Sequence, residues 1–471
     1  MLEVLDEAAV YGLNPQDYRL DLTPDDVRTV LAGQATATLR SRFDNALTAA
    51  ASRFVTHLQQ GRVTAQAAGF HLPAPRSSVD SATAVRQLAA SSDARDTLAS
   101  LEPRPRPYRM LKQLLQTYRD LARQPGLGQL APLPQRSIGL GDDYAGAPNL
   151  RVLLTALGDM DASGEAGQRR DNMIDASLDM ALKRFQARHG LQPDGAMGAR
   201  TYAALTTPLS RRVRQIELTL ERWRWLAASQ QRPDIVVNIP QFVLYTLPPA
   251  HSSEVRTLEM PVIVGRSYTS TPVFVAQINE VIFQPYWDVP PSILHKELLP
   301  KIRNNPDYLE RHHFEIVRGG GGDATIVAPD PTAIEALAAG RLRLRQRPGA
   351  DNALGPVKFV LPNDYGIRLH GTSEPALFEL PSRAFSHGCI RVSQPADLAE
   401  FVLQYASDKW DAERVETAMC GTQTLRIKLA TPVRVVVFYA TAAASESRGA
   451  LFAEDIYGLD RKLEQLLDLQ P

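Results

Sequence analysis

The chain has 471 residues, enough for two or three domains, and 44% of them are apolar, enough for packed cores. Its 52 Lys+Arg balance 52 Asp+Glu, so charge gives no case for a nucleic-acid partner or a membrane surface. No apolar run approaches the roughly 20 residues that a spanning helix needs.

The opening Met1-Leu2-Glu3-Val4-Leu5-Asp6-Glu7 carries acids where an export signal has basic residues, and it reads as if it begins within a helix. We therefore expect that an export signal has been trimmed from it. The first third is expected to be helical. Thr23-Pro24-Asp25-Asp26 supplies a hydroxyl cap, a first-turn proline and an acid at the third position. Phe43, Leu47, Ala50, Phe54 and Leu58, and later Tyr108, Leu111, Leu115, Tyr118 and Leu121, fall at helical spacing. Pro and Gly punctuate Gln124 to Pro148, which reads as a linker or long loop.

From Asn149 to Thr207 the pattern predicts a small unit. Leu150, Leu153, Leu154 and Leu157 mark one helix. Leu178, Ala181, Leu182 and Phe185 mark a second, ending at Gly190 as a C′ glycine. A polar stretch, Gly164 to Asp171, separates them. A tight turn through Pro193-Asp194-Gly195 leads to a short helix ending near Leu205. The run from Phe185 to Thr201 has the form F-Q-x-x-x-G-L-x-x-D-G-x-x-G-x-x-T and resembles the three-helix peptidoglycan-binding module of cell-wall enzymes. Its motif residues are mostly turn glycines and core positions, so a spacer that binds nothing is the alternative.

Val213 to Leu226 reads as another helix, with Ile216, Leu220, Trp223 and Leu226 facing the N-terminal helices. Then β-branched segments take over: 235–239, 242–246, 257–264, 273–283, 357–361, 367–370, 424–430 and 433–439. The interval from Pro290 to Gly349 does not fit this pattern. It holds helical stretches, the Gly319–Gly322 run and a charged segment, Arg341 to Arg347, and is expected to be an inserted subdomain or lid. The glycine run lacks a following Gly-Lys-Ser/Thr and is no phosphate loop. Leu451 to Leu469 reads as helix.

The chemistry concentrates in Ile367-Arg368-Leu369-His370-Gly371-Thr372 and Arg383-Ala384-Phe385-Ser386-His387-Gly388-Cys389-Ile390-Arg391-Val392. A thiol is a nucleophile as thiolate and needs a base beside it. His370 lies nineteen positions before Cys389 and His387 two before it. A ring two positions away on an extended segment reaches its neighbour's sulfur awkwardly, whereas a histidine at the end of an adjacent strand approaches side-on. His370 is therefore the expected base. Gly388 permits a tight turn, and the N–H groups of the His387–Cys389 turn are the expected oxyanion donors. The only other cysteine, Cys420, sits in a Met-Cys-Gly turn and is expected to be incidental. With no Cys-x-x-Cys or His-Glu-x-x-His pattern, neither a metal nor another cofactor is expected.

His-Gly-Thr followed by Ser-His-Gly-Cys-Ile-Arg-Val resembles the signature of the L,D-transpeptidases, the family of YkuD-type catalytic domains. Val264-Gly265-Arg266 and Thr271-Pro272 resemble the family's early strands. Phe283-Gln284-Pro285-Tyr286-Trp287-Asp288-Val289-Pro290 fits the segment leading into the cap of the large Gram-negative members of the YcbB type. The resemblance implies a multidomain α+β protein. Its parts would be a helical scaffold (1–148), a peptidoglycan-binding module (149–207), a linking helix (208–232), a mostly-β catalytic domain (233–440) with an inserted cap at about 290–349, and a C-terminal helix (441–471).

It also implies a reaction and a compartment. Cys389 would attack a tetrapeptide stem at meso-diaminopimelate, release the terminal D-Ala and pass the acyl group to a second stem as a 3→3 cross-link, in the periplasm. His370 would be the base, with the Gly371 carbonyl fixing its tautomer. Some members lack a histidine before the Gly-Cys, which favours His370 over His387. Ser386 and Arg391 would shape the loop, or Arg391 would meet a substrate carboxylate. Tyr286 and Trp287 would line the substrate site. Carbapenems would acylate the thiol, and other wall synthases and carboxypeptidases would be partners. The alternatives are a carboxypeptidase or D-amino-acid exchange through the same thioester, and a wall-binding protein without activity.

Overall fold

The computed structural model describes residues 1–75, 80–91, 93–161, 172–229, 232–247, 257–305, 307–320 and 324–469. The polar stretch from Gly164 to Asp171 and two glycines of the 319–322 run lie outside them. The fold is multidomain α+β, and the chain divides into two units, residues 1–232 with 439–471, and residues 233–438. No helix among the described residues is long and apolar enough to cross a membrane.

In the first unit the expected stripes fold as helices. Thr23 caps Pro24–Leu31 by accepting from the Asp26 N–H, and the Asp26 carboxylate accepts from the Thr23 N–H. Ala37–Gln60 buries Phe43, Ala50, Phe54 and Leu58. Arg106–Ala122 packs against Leu209–Ala228, joining Tyr108, Leu111 and Leu115 to Ile216 and Leu220 in one core. On the second of these helices the most buried side chains are not the expected tryptophan. Trp223 is half-buried, whereas Arg222 and Arg224 are 0% exposed.

The small unit forms as Ala147–Ala156, Ala176–Arg188 and Ala199–Leu205. Its middle helix ends in a Schellman turn in which the Leu191 N–H donates to the Gln186 carbonyl. The segment read as a linker is partly built into this core. Ser137–Ile138 pairs with Met197–Gly198, and Ile138 and Tyr144 pack beside Leu150 and Phe185. A Pro/Gly-rich sequence still supplies a strand when its few apolar residues find a core. The C-terminal segment is likewise not all helix. Ala442–Ser445 and Gly449–Phe452 form a hairpin before the helix Leu459–Asp468, because Tyr118 and Ile216 give Phe452 and Ala442 a surface to cover.

The second unit is a nine-stranded sheet. Its strands are β1 (Ile235–Asn238), β2 (Val243–Thr246), β3 (Glu259–Gly265), β4 (Phe274–Phe283), β5 (Val357–Val360), β6 (Leu369–His370), β7 (Ala384–Ser386), β8 (Ile390–Val392) and β9 (Leu425–Phe438). Their order is β7-β3-β8-β6-β5-β4-β9-β1-β2, and β2 also pairs with β3, so the sheet closes on itself. The two expected strands near the end are one strand, β9, whose register shifts between Lys428 and Val433. Pro432 lies in that shift, where a residue without an N–H costs no ladder bond. Helix α1 (Pro395–Leu403) packs on β4 and β5.

The insertion between β4 and β5 is not helical throughout. Trp287–Asp288, Arg343–Gln346, Phe314–Arg318 and Thr325–Val327 form a four-stranded sheet with its own core around Leu298, Ile302, Ile316, Leu337 and Leu344. The charged run from Arg341 is a strand because its period is two. Leu344 and Gln346 are buried while the arginines face outward or sit half-exposed.

Candidate active site

Register across β5, β6 and β8 sorts the residues of the two motif segments onto two faces. Phe359 pairs with Leu369, and Leu369 with Ile390; all three are fully buried. Alternation then puts Lys358, His370 and Arg391 in one row on the opposite face, since Lys358 pairs with His370 and His370 with Arg391. Cys389 precedes Ile390, so it enters on the His370 face, one strand away. Arg368 flanks it there, its carbonyl accepting from the Ile390 N–H at 2.8 Å.

His370 is 4% exposed. Its Nδ1 lies 2.7 Å from the Gly371 carbonyl oxygen. A carbonyl only accepts, so Nδ1 carries the proton and Nε2 offers a lone pair. Burial, with the Arg391 guanidinium, pushes its pKa down to about 3, while the Gly371 and Leu354 carbonyls pull the other way. The imidazole is thus neutral near pH 7, the form that can accept a thiol proton. Cys389 is a free, half-buried thiol.

The turn carrying Cys389 is clamped from three sides. Ser386 Oγ donates to the Cys389 carbonyl at 2.5 Å and accepts from the Gly388 N–H at 3.0 Å. Thr271 Oγ1 donates to the Gly388 carbonyl at 2.7 Å and accepts from the Gly265 N–H at 2.9 Å. The Arg266 N–H and Thr269 Oγ1 both donate to the Ser386 carbonyl. Gly388 has φ +111°, and a Cβ there would also press on Ile367, so the turn requires glycine. One expectation changes here: the Gly388 N–H, expected among the oxyanion donors, is engaged by Ser386 Oγ.

Comparison with known proteins fits this geometry. A model of the L,D-transpeptidase catalytic domain matches residues 232–435. Residues 232–435 form an L,D-transpeptidase catalytic domain. A Scaffold domain model matches residues 1–115, and a model described as "Putative peptidoglycan binding domain" matches residues 148–205. A protein of Haemophilus influenzae named "Putative L,D-transpeptidase" is 32% identical over 232 residues, 49% of this chain and 45% of the relative. The N-acetylmuramoyl-L-alanine amidase CwlM of Mycobacterium tuberculosis is 39% identical over 82 residues, 16% of this chain and 20% of that protein. The chain thus spans less than half the length of these curated relatives.

Within the L,D-transpeptidase domain the remaining expected residues divide. Ser386 and Arg391 belong to the site, and Arg391 is already paired, donating to Glu374 Oε2 at 2.8 Å. His387 is engaged with the cap: its Nε2 lies 2.6 Å from Glu297 Oε1, on a turn of π-helix. Tyr286 is exposed and Trp287 half-buried, and both touch the cap. The Arg345 guanidinium lies 4.2 Å over the Tyr286 ring, and Trp287 packs against Phe314 and the cap core. Cys420 ends the helix Ala412–Cys420 instead of standing in an isolated turn.

Sequence reasoning passed over Lys358, Glu374, Glu297 and any role for Arg368. Only Lys358 had a signal: a lysine inside the strand pattern Val-Lys-Phe-Val must face a polar site or water.

Proposed function

We propose that the chain is an L,D-transpeptidase that makes 3→3 cross-links between diaminopimelate residues of peptidoglycan. One observation carries the reading: Cys389 and His370 enter on one sheet face from neighbouring strands, with the Nδ1–H of His370 tied to the Gly371 carbonyl. The matched catalytic and peptidoglycan-binding domain types support peptidoglycan as the substrate.

In the first half-reaction His370 Nε2 takes the Cys389 proton as Sγ attacks the carbonyl of diaminopimelate in the donor stem. The oxyanion meets the Cys389 N–H. The C–N bond breaks, and the imidazolium gives its proton to the departing D-Ala amine, leaving a thioester. In the second half the side-chain amine of diaminopimelate on another stem attacks the thioester and loses a proton to His370. Collapse releases Cys389, and the imidazolium returns its proton to the thiolate. Gly371, through its carbonyl, keeps the imidazole in one tautomer throughout. Water in place of the acceptor amine gives a carboxypeptidase from the same thioester. The substrate places the enzyme outside the cytoplasm, in the periplasm. A carboxypeptidase must supply four-residue donor stems.

The test is muropeptide mass spectrometry on sacculi incubated with the protein and with its Cys389→Ala variant. The reading expects 3→3 dimers from the first only. Tripeptide without dimers would move the assignment to hydrolysis, and equal dimers from both would remove Cys389 from the reaction.

A further inference from the structure

The row of side chains that carries His370 extends beyond it. Across the sheet run Arg426, Ile282, Lys358, His370 and Arg391, in continuous register on one face. The two outer cations are neutralised: Arg391 by Glu374, and Arg426 by a two-pronged pair with Glu280 at 2.9 and 2.8 Å. Lys358 and Arg368, which flank His370 and Cys389, are half-buried, and among the described residues neither side chain forms a hydrogen bond or an ion pair. Two cations outside any ion pair therefore border the nucleophile.

We propose that Lys358 and Arg368 bind the terminal carboxylate of the residue that the thiol displaces, so that the enzyme measures the free C-terminus of a four-residue donor. This rests on the acyl-transfer reading above and names which end of the substrate the sheet holds.

The distances suit the task. The strand of Lys358 lies two strand spacings, roughly 10 Å, from that of Cys389. The four-carbon stem of lysine carries its ammonium over most of that gap. Cys389 and Asp288 of the cap both stand near enough to act on the Lys358 charge. Arg368 reaches the same space from the strand between them. In the donor, the terminal carboxylate stands one residue beyond the scissile carbonyl, about 3.5 Å of chain. A five-residue stem puts its carboxylate about 3.5 Å farther out, past the cations. Burial and the Arg368 guanidinium hold the Lys358 pKa below its usual range, and a carboxylate ligand would relieve the strain between two like charges in a half-desolvated site. The displaced D-Ala carries such a carboxylate. So does the diaminopimelate side chain, and the experiment separates the two.

The experiment measures acyl-enzyme formation, by intact-protein mass, with three soluble donors. One is the tetrapeptide, one is the same peptide amidated at the terminal D-Ala, and one is amidated at the diaminopimelate side-chain carboxylate. The native protein is expected to prefer the free acid over the terminal amide in kcat/KM by about ten- to hundredfold, the range for a charge-assisted hydrogen bond. It should treat the side-chain amide like the parent. Lys358→Met should bring the terminal preference close to one by lowering only the free-acid rate, chiefly through KM. Lys358→Arg should keep part of the preference. Far-UV circular dichroism and cooperative urea unfolding report whether each variant remains folded, and Arg368→Gln serves the same comparison if Lys358→Met does not fold. The inference fails if the variants slow all donors alike, if they keep the native preference, or if the side-chain amide is the one discriminated. A native protein that forms no adduct with the free acid overturns the acyl-transfer reading and this inference with it.

Discussion

Arg222 and Arg224 lie on the helix Leu209–Ala228 of the first unit, and Lys358 and Arg368 on the sheet of the second; the four differ in how their charge is met. Arg222 and Arg224 are fully buried and paired, Arg222 with Asp460 at 2.5 Å and Arg224 with Glu221 at 2.8 Å. Aromatic faces cover what the acids leave, with Phe70 and Tyr439 on either side of Arg222 and Tyr108 beside Arg224. Lys358 and Arg368 are half-buried, and among the described residues neither forms an ion pair, although Asp288 acts on Lys358 from a distance. A cation sealed in a core needs its counter-charge within the fold. A cation left without one beside a nucleophile is available to a ligand. Arg222 and Arg224 each meet an acid of their own unit, whereas Lys358 and Arg368 form no ion pair among the described residues.

The largest expected effect lies at the base. His370→Ala should slow carbapenem acylation of Cys389 by about 10²- to 10⁴-fold, the usual share of a general base. His387→Ala should cost far less, because its ring is engaged with Glu297. The reverse ranking would break the assignment of His370. On the scaffold side, Glu221→Ala strands the buried Arg224 and also removes the acceptor of the Val63 N–H. It should destabilise the first unit by roughly 3–5 kcal/mol in urea unfolding, while Cys389 labelling in native buffer stays unchanged. A loss below about 1 kcal/mol would undo the distinction between paired and unpaired cations.

The pH dependence follows from His370. An unfolded histidine binds a proton near pH 6.5, and the folded one only near pH 3. Between these values the unfolded chain holds the extra proton, so stability is present above pH 6.5 and falls as the pH drops toward 3. Between pH 7 and pH 4 this costs the second unit on the order of 3 kcal/mol. His370→Asn should flatten that limb of the stability profile, and an unchanged limb would assign it elsewhere. The smallest effect is at the cap. The His387–Glu297 pair is more than a third exposed on both sides. Glu297→Gln should therefore change stability by under about 1 kcal/mol.

Much of the fold was legible because it rests on local rules. The Thr23 cap, the stripe from Tyr108 to Leu121 and the alternation in 273–283 each announce an element within a few residues. What escaped depends on partners distant in sequence. Ser137–Ile138 becomes a strand only because Met197–Gly198 stands beside it, and Phe452 joins a hairpin only because Tyr118 and Ile216 need covering. Arg222 can be sealed in the core only because Asp460 arrives from 238 residues away. At the site, His370 and Cys389 could be singled out from residue chemistry and a specific motif. The engagement of the Gly388 N–H could not, since it depends on how Ser386 turns back on its own loop. Lys358 was hidden for a further reason: its place beside His370 is a matter of strand register, and periodicity alone does not fix which strands are neighbours.

The central claim is that Cys389 transfers an acyl group between peptide stems. The direct measurement is the intact mass of the protein after exposure to a tetrapeptide donor, followed by addition of an acceptor stem bearing a free diaminopimelate amine. The account predicts a donor-minus-D-Ala adduct on Cys389, absent from Cys389→Ala, that disappears as 3→3 dimer forms. An adduct that persists in Cys389→Ala, or dimer formed without any adduct on the native protein, would contradict it.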